Sequence, residues 1–235
     1  MSSTSPRSPF RSRGFIAACI GVGIIVLAGS TIGILGTETD GTPTSAPATT
    51  APPSRNVADS SVCGLPGFDT TNTLTTVPDS EWELVGTVAA PTDDNVVGPG
   101  ITDSDGFRSC FAHTAQGALY AASNMLAMGS DARLQPLLAE KLAVPGPGRE
   151  AAMEAAPSTT QIRYQISGYD ITSYNGEQAT IDLAVTVSSG QTASVPFLIQ
   201  WSGGDWKAVL TDDGQAPLNS APLQNLGGYT PWSGA

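Results

Sequence analysis

The side chains in this sequence that are most capable of chemistry are two distal cysteines and a single histidine. Cys63 and Cys110 are followed by His113 in the run Cys-Phe-Ala-His-Thr. A structural zinc site is almost always four-coordinate, and a catalytic histidine needs a nucleophile and an orienting acid beside it. The sequence shows neither arrangement, and it has no phosphate loop and no serine elbow. We therefore predict no catalytic residue, no cofactor and no metal, and we interpret His113 as a structural side chain.

A segment without charge precedes these residues and determines where they lie. Gly14 to Gly36 would span roughly 34 Å as a helix, slightly more than the hydrocarbon core of about 30 Å. Arg7, Arg11 and Arg13 stand before it and no carboxylate does. The positive-inside rule then predicts a single-pass helix over 14–36 with residues 1–13 in the cytoplasm. A cleaved signal peptide is the alternative, although its apolar region is usually about 7–15 residues and ends in a small-residue site.

The charge of the chain is strongly asymmetric. All 21 carboxylates lie after Gly36 beside 7 of the 10 basic residues, so the distal part carries 7 − 21 = −14. Nucleic acid and anionic lipid surfaces repel such a domain. We expect no nucleic-acid partner, contact with the bilayer only through the helix, and other envelope proteins as partners. The G-x-x-x-G spacing of Gly29 and Gly33 is also compatible with a homo-oligomer.

The next residues predict a spacer and a disulfide. Residues 37–60 are rich in Thr, Pro, Ser and Ala with almost no large apolar side chain, which is typical of a disordered stalk. Cys63 and Cys110 follow on the predicted outer side, where disulfides persist. Pairing them closes a loop of roughly 47 residues, worth about 4 kcal/mol by chain entropy. Cys19 falls inside the apolar segment and acts there as a small apolar residue.

The outer domain, residues 61–235, changes its hydrophobic period along the chain. Helical spacing predicts three helices, at 115–129 between an N-cap at Thr114 and a C-cap at Gly129, at 136–144 and at 149–156. One strand is predicted at 82–89, and Asp103 to Gly106 indicates a turn rather than a calcium loop. Alternating residues after 162, with turns at 175–176, 189–190 and 203–204, predict a curved four-stranded antiparallel sheet. The fold class is α+β, with an irregular tail over 211–235 in which Trp232 is an anchor.

Four sequence blocks carry a resemblance to a known family: SVCGLPG, WELVGTVAAP, GFRSCFAHTAQGALYAASN and GGYTPWSGA. They resemble a family of uncharacterised actinobacterial single-pass membrane proteins associated with conjugative elements. The order of three helices and a meander is also similar to the nuclear-transport-factor-2-like or cystatin-like cone. Assembly factors of type IV secretion systems use that cone behind one membrane helix. The resemblance implies a link to conjugation machinery, although a fold does not fix a function.

Two functions are carried forward from these patterns. The first is a non-enzymatic, membrane-anchored extracytoplasmic scaffold in a conjugative transfer apparatus. The second is a small-ligand binder or enzyme with a pocket inside the cone, where His113 and Tyr120 are candidate pocket residues. Trp201 and Trp206 flank a Gly-Gly turn, so they are candidates for an exposed interaction patch or for core packing. A surface receptor or immunity-type module is a third class without a specific sign.

Overall fold

A computed structural model describes residues 60–157 and 163–234 of the chain. The predicted cytoplasmic segment 1–13, the membrane helix 14–36 and all but the last residue of the stalk 37–60 lie outside the described residues. Within the described ranges, no helix is both long and apolar enough to cross a membrane.

Two small antiparallel hairpins precede the helices. The first joins β1 (Glu81–Val85) to β2 (Val88–Thr92), and the second joins β3 (Ile101–Thr102) to β4 (Arg108–Ser109). The single strand predicted at 82–89 is therefore wrong. Gly86 has φ +62°, a left-handed conformation that glycine adopts without a Cβ penalty, and it reverses the chain between Val85 and Val88.

The turn predicted at Asp103 connects β3 to β4. The Asp103 amide donates to the carbonyl of Phe107 at 2.8 Å, and the Gly106 amide donates to the carbonyl of Asp103 at 2.9 Å. The Asp103 carboxylate accepts a hydrogen bond from Lys141 Nζ at 2.7 Å. In the described parts of the chain, no group of three or more His, Cys, Asp or Glu residues is placed to hold a metal ion.

All three predicted helices are present, with bounds shifted by one to two residues. They are α1 (Ala115–Met128), α2 (Gln135–Leu142) and α3 (Pro147–Glu154). Thr114 caps α1, because its Oγ1 accepts a hydrogen bond from the Gly117 amide at 3.0 Å. Every residue of α1 except Gln116 is buried. The helix packs on the large sheet and also on the β1–β2 hairpin, so it is covered on more than one side.

The large sheet has six strands rather than the four predicted. The meander is formed by β5 (Tyr164–Tyr174), β6 (Gln178–Val187), β7 (Thr192–Trp201) and β8 (Trp206–Ala208). The tail adds β9 (Ala221–Leu223) against β7 and β10 (Thr230–Pro231) against β5, which gives the order β10-β5-β6-β7-β8 with β9 beside β7. All pairs are antiparallel. The α+β class is confirmed, but the tail is partly strand because its backbone groups pair with the sheet edges.

Two irregular positions in the sheet follow from residue type. The register between β5 and β6 shifts between Ile166 and Gly168, and a glycine inside a strand is typical of such a bulge. A Cβ on Gly168 would lie 2.8 Å from the carbonyl oxygen of Thr230, so the close approach of β10 requires glycine. Pro196 lies in β7 between the stretch paired with β9 and the stretch paired with β8, where its missing N–H removes no ladder bond on that edge.

The two faces of the sheet have opposite character. Ile181, Leu183 and Val185 point inward along β6 and oppose Phe197, Val195 and Ala193 of β7. Asp182, between them, faces outward opposite Pro196 and Asp170. The inward rows meet α1 and the first hairpin in one core, whose largest fully buried side chains include Trp206, Tyr120, Phe107, Phe111 and Leu119. This core holds in place the segment between β4 and α1, where most of the candidate residues converge.

Candidate functional site

The disulfide fastens the start of the described chain to the segment before α1. Cys63 and Cys110 are bonded, with their Cα atoms 6.1 Å apart, which confirms the predicted pairing. Cys110 has φ +64°, and within the described ranges no other residue except glycine has a positive φ. Such a conformation is uncommon and is maintained only where surrounding contacts fix it.

The contact that fixes Cys110 is a buried carboxylate, Asp205. One carboxylate oxygen accepts from the Cys110 amide at 2.7 Å, and the other accepts from the amides of Phe111 and Trp206 at 2.9 Å each. Asp205 is 4% exposed. Burial raises its pKa to about 6, while the three amide donors and the charge of Lys207 act in the opposite direction. Asp205 therefore joins β8 to the disulfide segment through polar contacts inside the core.

Sequence reasoning missed Asp205, which was taken only as the first residue of the last meander strand. The available signal was its position: it follows the Gly203-Gly204 turn and directly precedes a tryptophan. Position alone does not predict its burial, because successive side chains of extended backbone point to opposite sides. What the sequence does not show is that the amides of Cys110 and Phe111, almost a hundred residues away, meet it there.

His113, Trp201 and Trp206 form one aromatic cluster beside Asp205. The His113 ring stacks on Trp201 with centroids 3.8 Å apart and 7° between planes, and it meets Trp206 edge-on at 5.7 Å. His113 Nε2 is hydrogen-bonded to the carbonyl of Gly176 in the β5–β6 turn. Trp206 is fully buried and its Nε1 donates to the carbonyl of Ala112 at 3.0 Å. The cluster packs the helix start onto two turns of the sheet.

Tyr120 lies in a different cluster, on the side of α1 that faces the C-terminal segment. Its hydroxyl donates to Ser80 Oγ at 2.7 Å, and Trp232 Nε1 donates to the same oxygen at 3.2 Å. The Trp232 ring contacts the rings of Trp82, Tyr120 and Tyr169. Burial is the largest cause that raises the pKa of Tyr120, and the charges of Asp93 and Asp79 act in the same direction. The structure thus does not bring Tyr120 together with the other three candidates.

Two carboxylates, Asp170 and Asp182, lie on the outward face of the sheet. Asp182 accepts from Ser194 Oγ at 2.7 and 2.8 Å and from the Tyr229 hydroxyl at 2.8 Å. Asp170 opposes Asp182 across β5 and β6; burial first, and then the charge of Asp182, raises the pKa of Asp170. This cluster fastens the C-terminal segment across the sheet and does not face the core.

A polar contact also crosses the core between α1 and the hairpins. Arg108 is buried and forms an ion pair with the exposed Glu83. Its Nη1 donates to Asn124 Oδ1 at 3.3 Å, and Asn124 Nδ2 donates to the carbonyls of Pro91 and Tyr120. Because both polar side chains are satisfied by the protein itself, this contact stabilises the packing of α1 against the β1–β2 hairpin.

One open groove lies on the surface at the N-terminal end of α1. It has a volume of about 460 Å³ and runs between the irregular stretch 66–76 and the loop at Val96 and Val97, with Thr114 and Gln116 at its base. Asp69 is the charged residue in its wall. Asp69 Oδ2 accepts from Thr73 Oγ1 at 2.8 Å and from the Ala115 amide at 3.2 Å, so it also supports the start of the helix.

These features define a single-disulfide α+β domain whose three helices precede most of an antiparallel sheet. The chain belongs to the family described as domain of unknown function DUF8175, whose model matches residues 42–231. The recognition of an uncharacterised family is thereby confirmed. Comparison with curated proteins found no match, and comparison with solved structures found none.

Proposed function

We propose that this protein is a membrane-anchored, extracytoplasmic interaction protein that acts through the outer surface of its α+β domain. The observation that supports the proposal is that the buried polar groups of the domain are hydrogen-bonded within the protein itself. In the described residues, every buried side-chain nitrogen or oxygen has a hydrogen-bond partner. Asp205, Arg108 and Asn124 direct theirs to backbone amides, backbone carbonyls and each other. These groups hold the fold together, which leaves recognition to the surface.

The packing of the interior supports the same proposal. The space between α1 and the sheet holds large side chains, among them Trp206, Tyr120, Phe111, Leu119 and Ile181, each less than 2% exposed. His113 is also buried, between Phe68, Trp201 and Trp206. A binding pocket usually converges a few polar groups on an apolar cavity. Here Asp205 and Trp206 bond the backbone of the segment from Cys110 to Ala112, while Asn124 bonds the carbonyls of Pro91 and Tyr120.

The location and system of this function come from the sequence. The uncharged stretch 14–36, with arginines before it and every carboxylate after it, supports an anchor with the domain outside the cell. The resemblance to conjugative-element proteins supports a place in a transfer apparatus of the type IV secretion kind, as does the similarity of the predicted helices and meander to the nuclear-transport-factor-2-like cone. We include both in the proposal: the domain connects other envelope proteins of such an apparatus.

Site-specific photo-cross-linking of the full-length chain in its native membrane tests this function. A cross-linker is placed at the exposed positions Leu84 and Val96, which are 77% and 53% exposed, and at buried Leu183 as the matched control. Covalent adducts with envelope or channel proteins are expected from the exposed positions and none from Leu183. Recovery of the protein alone from both exposed positions would contradict the proposal. Protease added to spheroplasts should remove the domain, and its protection would contradict the topology.

A further inference from the structure

The groove at the start of α1 is bordered by a stretch of chain with unused backbone groups. We call residues 70–77 the strap and the groove beside it the strap groove. The strap has no helix or strand, and it is attached to the core through half-buried Leu74 and, just beyond it, buried Pro78. Within the described residues, neither the amides nor the carbonyls of Thr75, Thr76 and Val77 make a hydrogen bond. They are available to another chain.

The walls of the strap groove combine apolar and polar surface. Its lining includes the apolar residues Pro66, Leu74 and Val96, of which Val96 is 53% exposed, together with several threonines. Val77, at the end of the strap, is 51% exposed. A volume of about 460 Å³ falls within the range of about 300–1,000 Å³ for sites that hold small ligands or a few residues of a peptide. The surface fits a short peptide with apolar side chains.

The charge around the strap groove identifies the kind of peptide. From Ser60 to Phe107 the chain has eight carboxylates and no lysine, arginine or histidine. Asp69 lies in the wall, and Asp93 Oδ1 accepts from the amides of Asn95 and Val96 in the opposite wall at 3.3 and 3.1 Å. In the described ranges, neither Asp69 nor Asp93 forms an ion pair. A basic segment would meet complementary charge there.

A second line of contacts places more negative charge at this end of the domain. Gln116, at the base of the groove, donates to the hydroxyl of Tyr120 at 3.5 Å. The charges of Asp79 and Asp93 both act on that hydroxyl and raise its pKa, after burial as the largest cause. Among the described bases, Arg108 forms an ion pair with Glu83 and Lys141 forms one with Asp103, and neither of these carboxylates lines the groove.

We propose that the strap groove binds a short segment of a partner protein that carries lysine or arginine beside apolar side chains. The free amides and carbonyls of the strap bond the peptide backbone, the apolar walls hold its side chains, and Asp69 and Asp93 attract its positive charges. This inference rests on the proposed function, because it assigns the partner contact of the outer domain to one surface. The partner is a protein, since anionic lipid headgroups and nucleic acid are repelled by the same carboxylates.

The test uses a random-octapeptide phage library panned against the full-length protein in detergent. The enriched peptides should carry net positive charge and apolar residues. Two matched pairs of variants then locate the site. Val96→Arg in the groove wall is compared with Leu84→Arg, because Leu84 is also an exposed apolar residue. Leu84 lies in the β1–β2 hairpin, whose turn contacts Ser130 just beyond the C-terminal end of α1. The groove lies at the N-terminal end of α1, and the length of this helix is roughly 20 Å. At the exposed Thr76, Thr76→Arg is compared with Thr76→Glu.

The expected result is a loss of binding of at least tenfold in Val96→Arg and Thr76→Arg, and a change below twofold in Leu84→Arg. Thr76→Glu should bind as well as the unmodified protein or better. Two results would overturn the inference: enrichment of neutral or acidic peptides, and equal loss in Leu84→Arg, which would assign binding to overall charge. The photo-cross-linking experiment separates the two proposals. If a cross-linker at Leu84 still gives adducts with envelope proteins in the Val96→Arg and Thr76→Arg variants, the groove proposal is contradicted and the proposed function is not. If the protein without these substitutions gives no adducts, the proposed function itself is contradicted.

Discussion

Raising the pH from about 4 to about 7 should weaken the folded domain through Asp205. Its pKa is about 6 in the folded protein against an ordinary value of 3.8, because burial disfavours the carboxylate. The folded state therefore binds the proton more tightly than the unfolded state. The contribution is fully present below about pH 4, where both states are protonated, and it is lost as the pH rises through about 6. The difference corresponds to about 3 kcal/mol in the free energy of unfolding.

The assay is urea unfolding of the full-length protein in detergent, followed by tryptophan fluorescence at intervals between pH 4 and 7.5. All four tryptophans of the chain lie in the described domain, so the signal reports that domain. Asp205→Asn removes the titrating carboxyl group. It also replaces the oxygen that accepts from the Cys110 amide by an amide donor, and the loss of that hydrogen bond should lower the free energy of unfolding by about 1–3 kcal/mol at every pH. Asp212→Asn, a change of the same charge at an exposed position, is the matched control.

The decisive quantity is the slope of unfolding free energy against pH rather than its absolute value. The unmodified protein and Asp212→Asn should lose about 2.4 kcal/mol more than Asp205→Asn between pH 4 and 7, because a carboxyl with the ordinary pKa of 3.8 is already partly ionised in the unfolded chain at pH 4. Other groups with shifted pKa values, such as Asp170, remain in all three proteins and cancel in the comparison. Parallel profiles for the unmodified protein and Asp205→Asn would refute the reasoning, as would an unmodified protein that gains stability relative to Asp205→Asn as the pH rises.

Two further perturbations have expected magnitudes. Replacing Cys63 and Cys110 together by serine should lower the free energy of unfolding by about 4 kcal/mol, because a loop of 47 residues is no longer closed in the unfolded chain; a loss below about 1 kcal/mol in urea unfolding would contradict this. Trp232→Ala should cost about 3–5 kcal/mol, since the ring is 5% exposed and contacts three other aromatic rings. Trp232→Phe is its control, and limited proteolysis that cuts the tail equally in both variants would argue against an anchoring role.

The local elements were predictable where one short pattern determines them. The start of α1 was predictable because the N-cap hydroxyl of Thr114 acts within one turn of the chain, while Gly129 follows the last helical residue with a right-handed backbone. The Asn175-Gly176 turn and the alternation in β6 are equally local. The disulfide was predictable because only two cysteines lie in the distal part of the chain. In the helix and the turn, the contacts that determine the structure lie within a few residues of each other. For the disulfide, each distal cysteine has only one possible partner in the distal part of the chain.

The failures share a different physical cause, which is pairing between distant segments. The residues of 82–89 alternate as one strand would, and only the left-handed Gly86 beside Ser130 turns them into a hairpin. The tail lacks a strand pattern, yet Thr230 and Pro231 pair with Tyr169 and Gly168 because the meander leaves that side of β5 without a neighbouring strand. Asp205 belongs to the same group, since its donors come from Cys110 and Phe111. No window of sequence contains both members of these pairs.

If the domain is anchored through residues 14–36, as proposed, the Cys63–Cys110 bond has a mechanical consequence. A pull applied ahead of Ser60 reaches Cys63 and crosses directly to Cys110, so it bypasses the 46 residues in between, including both hairpins. From there the tension passes to β8 through the Asp205 carboxylate, and a parallel route leads from the Val62 amide to the carbonyl of Gly204 at 2.8 Å. With the disulfide intact, the residues between the two cysteines cannot be pulled out, which would otherwise lengthen the chain by roughly 150 Å. The groove and its strap therefore carry no tension under load.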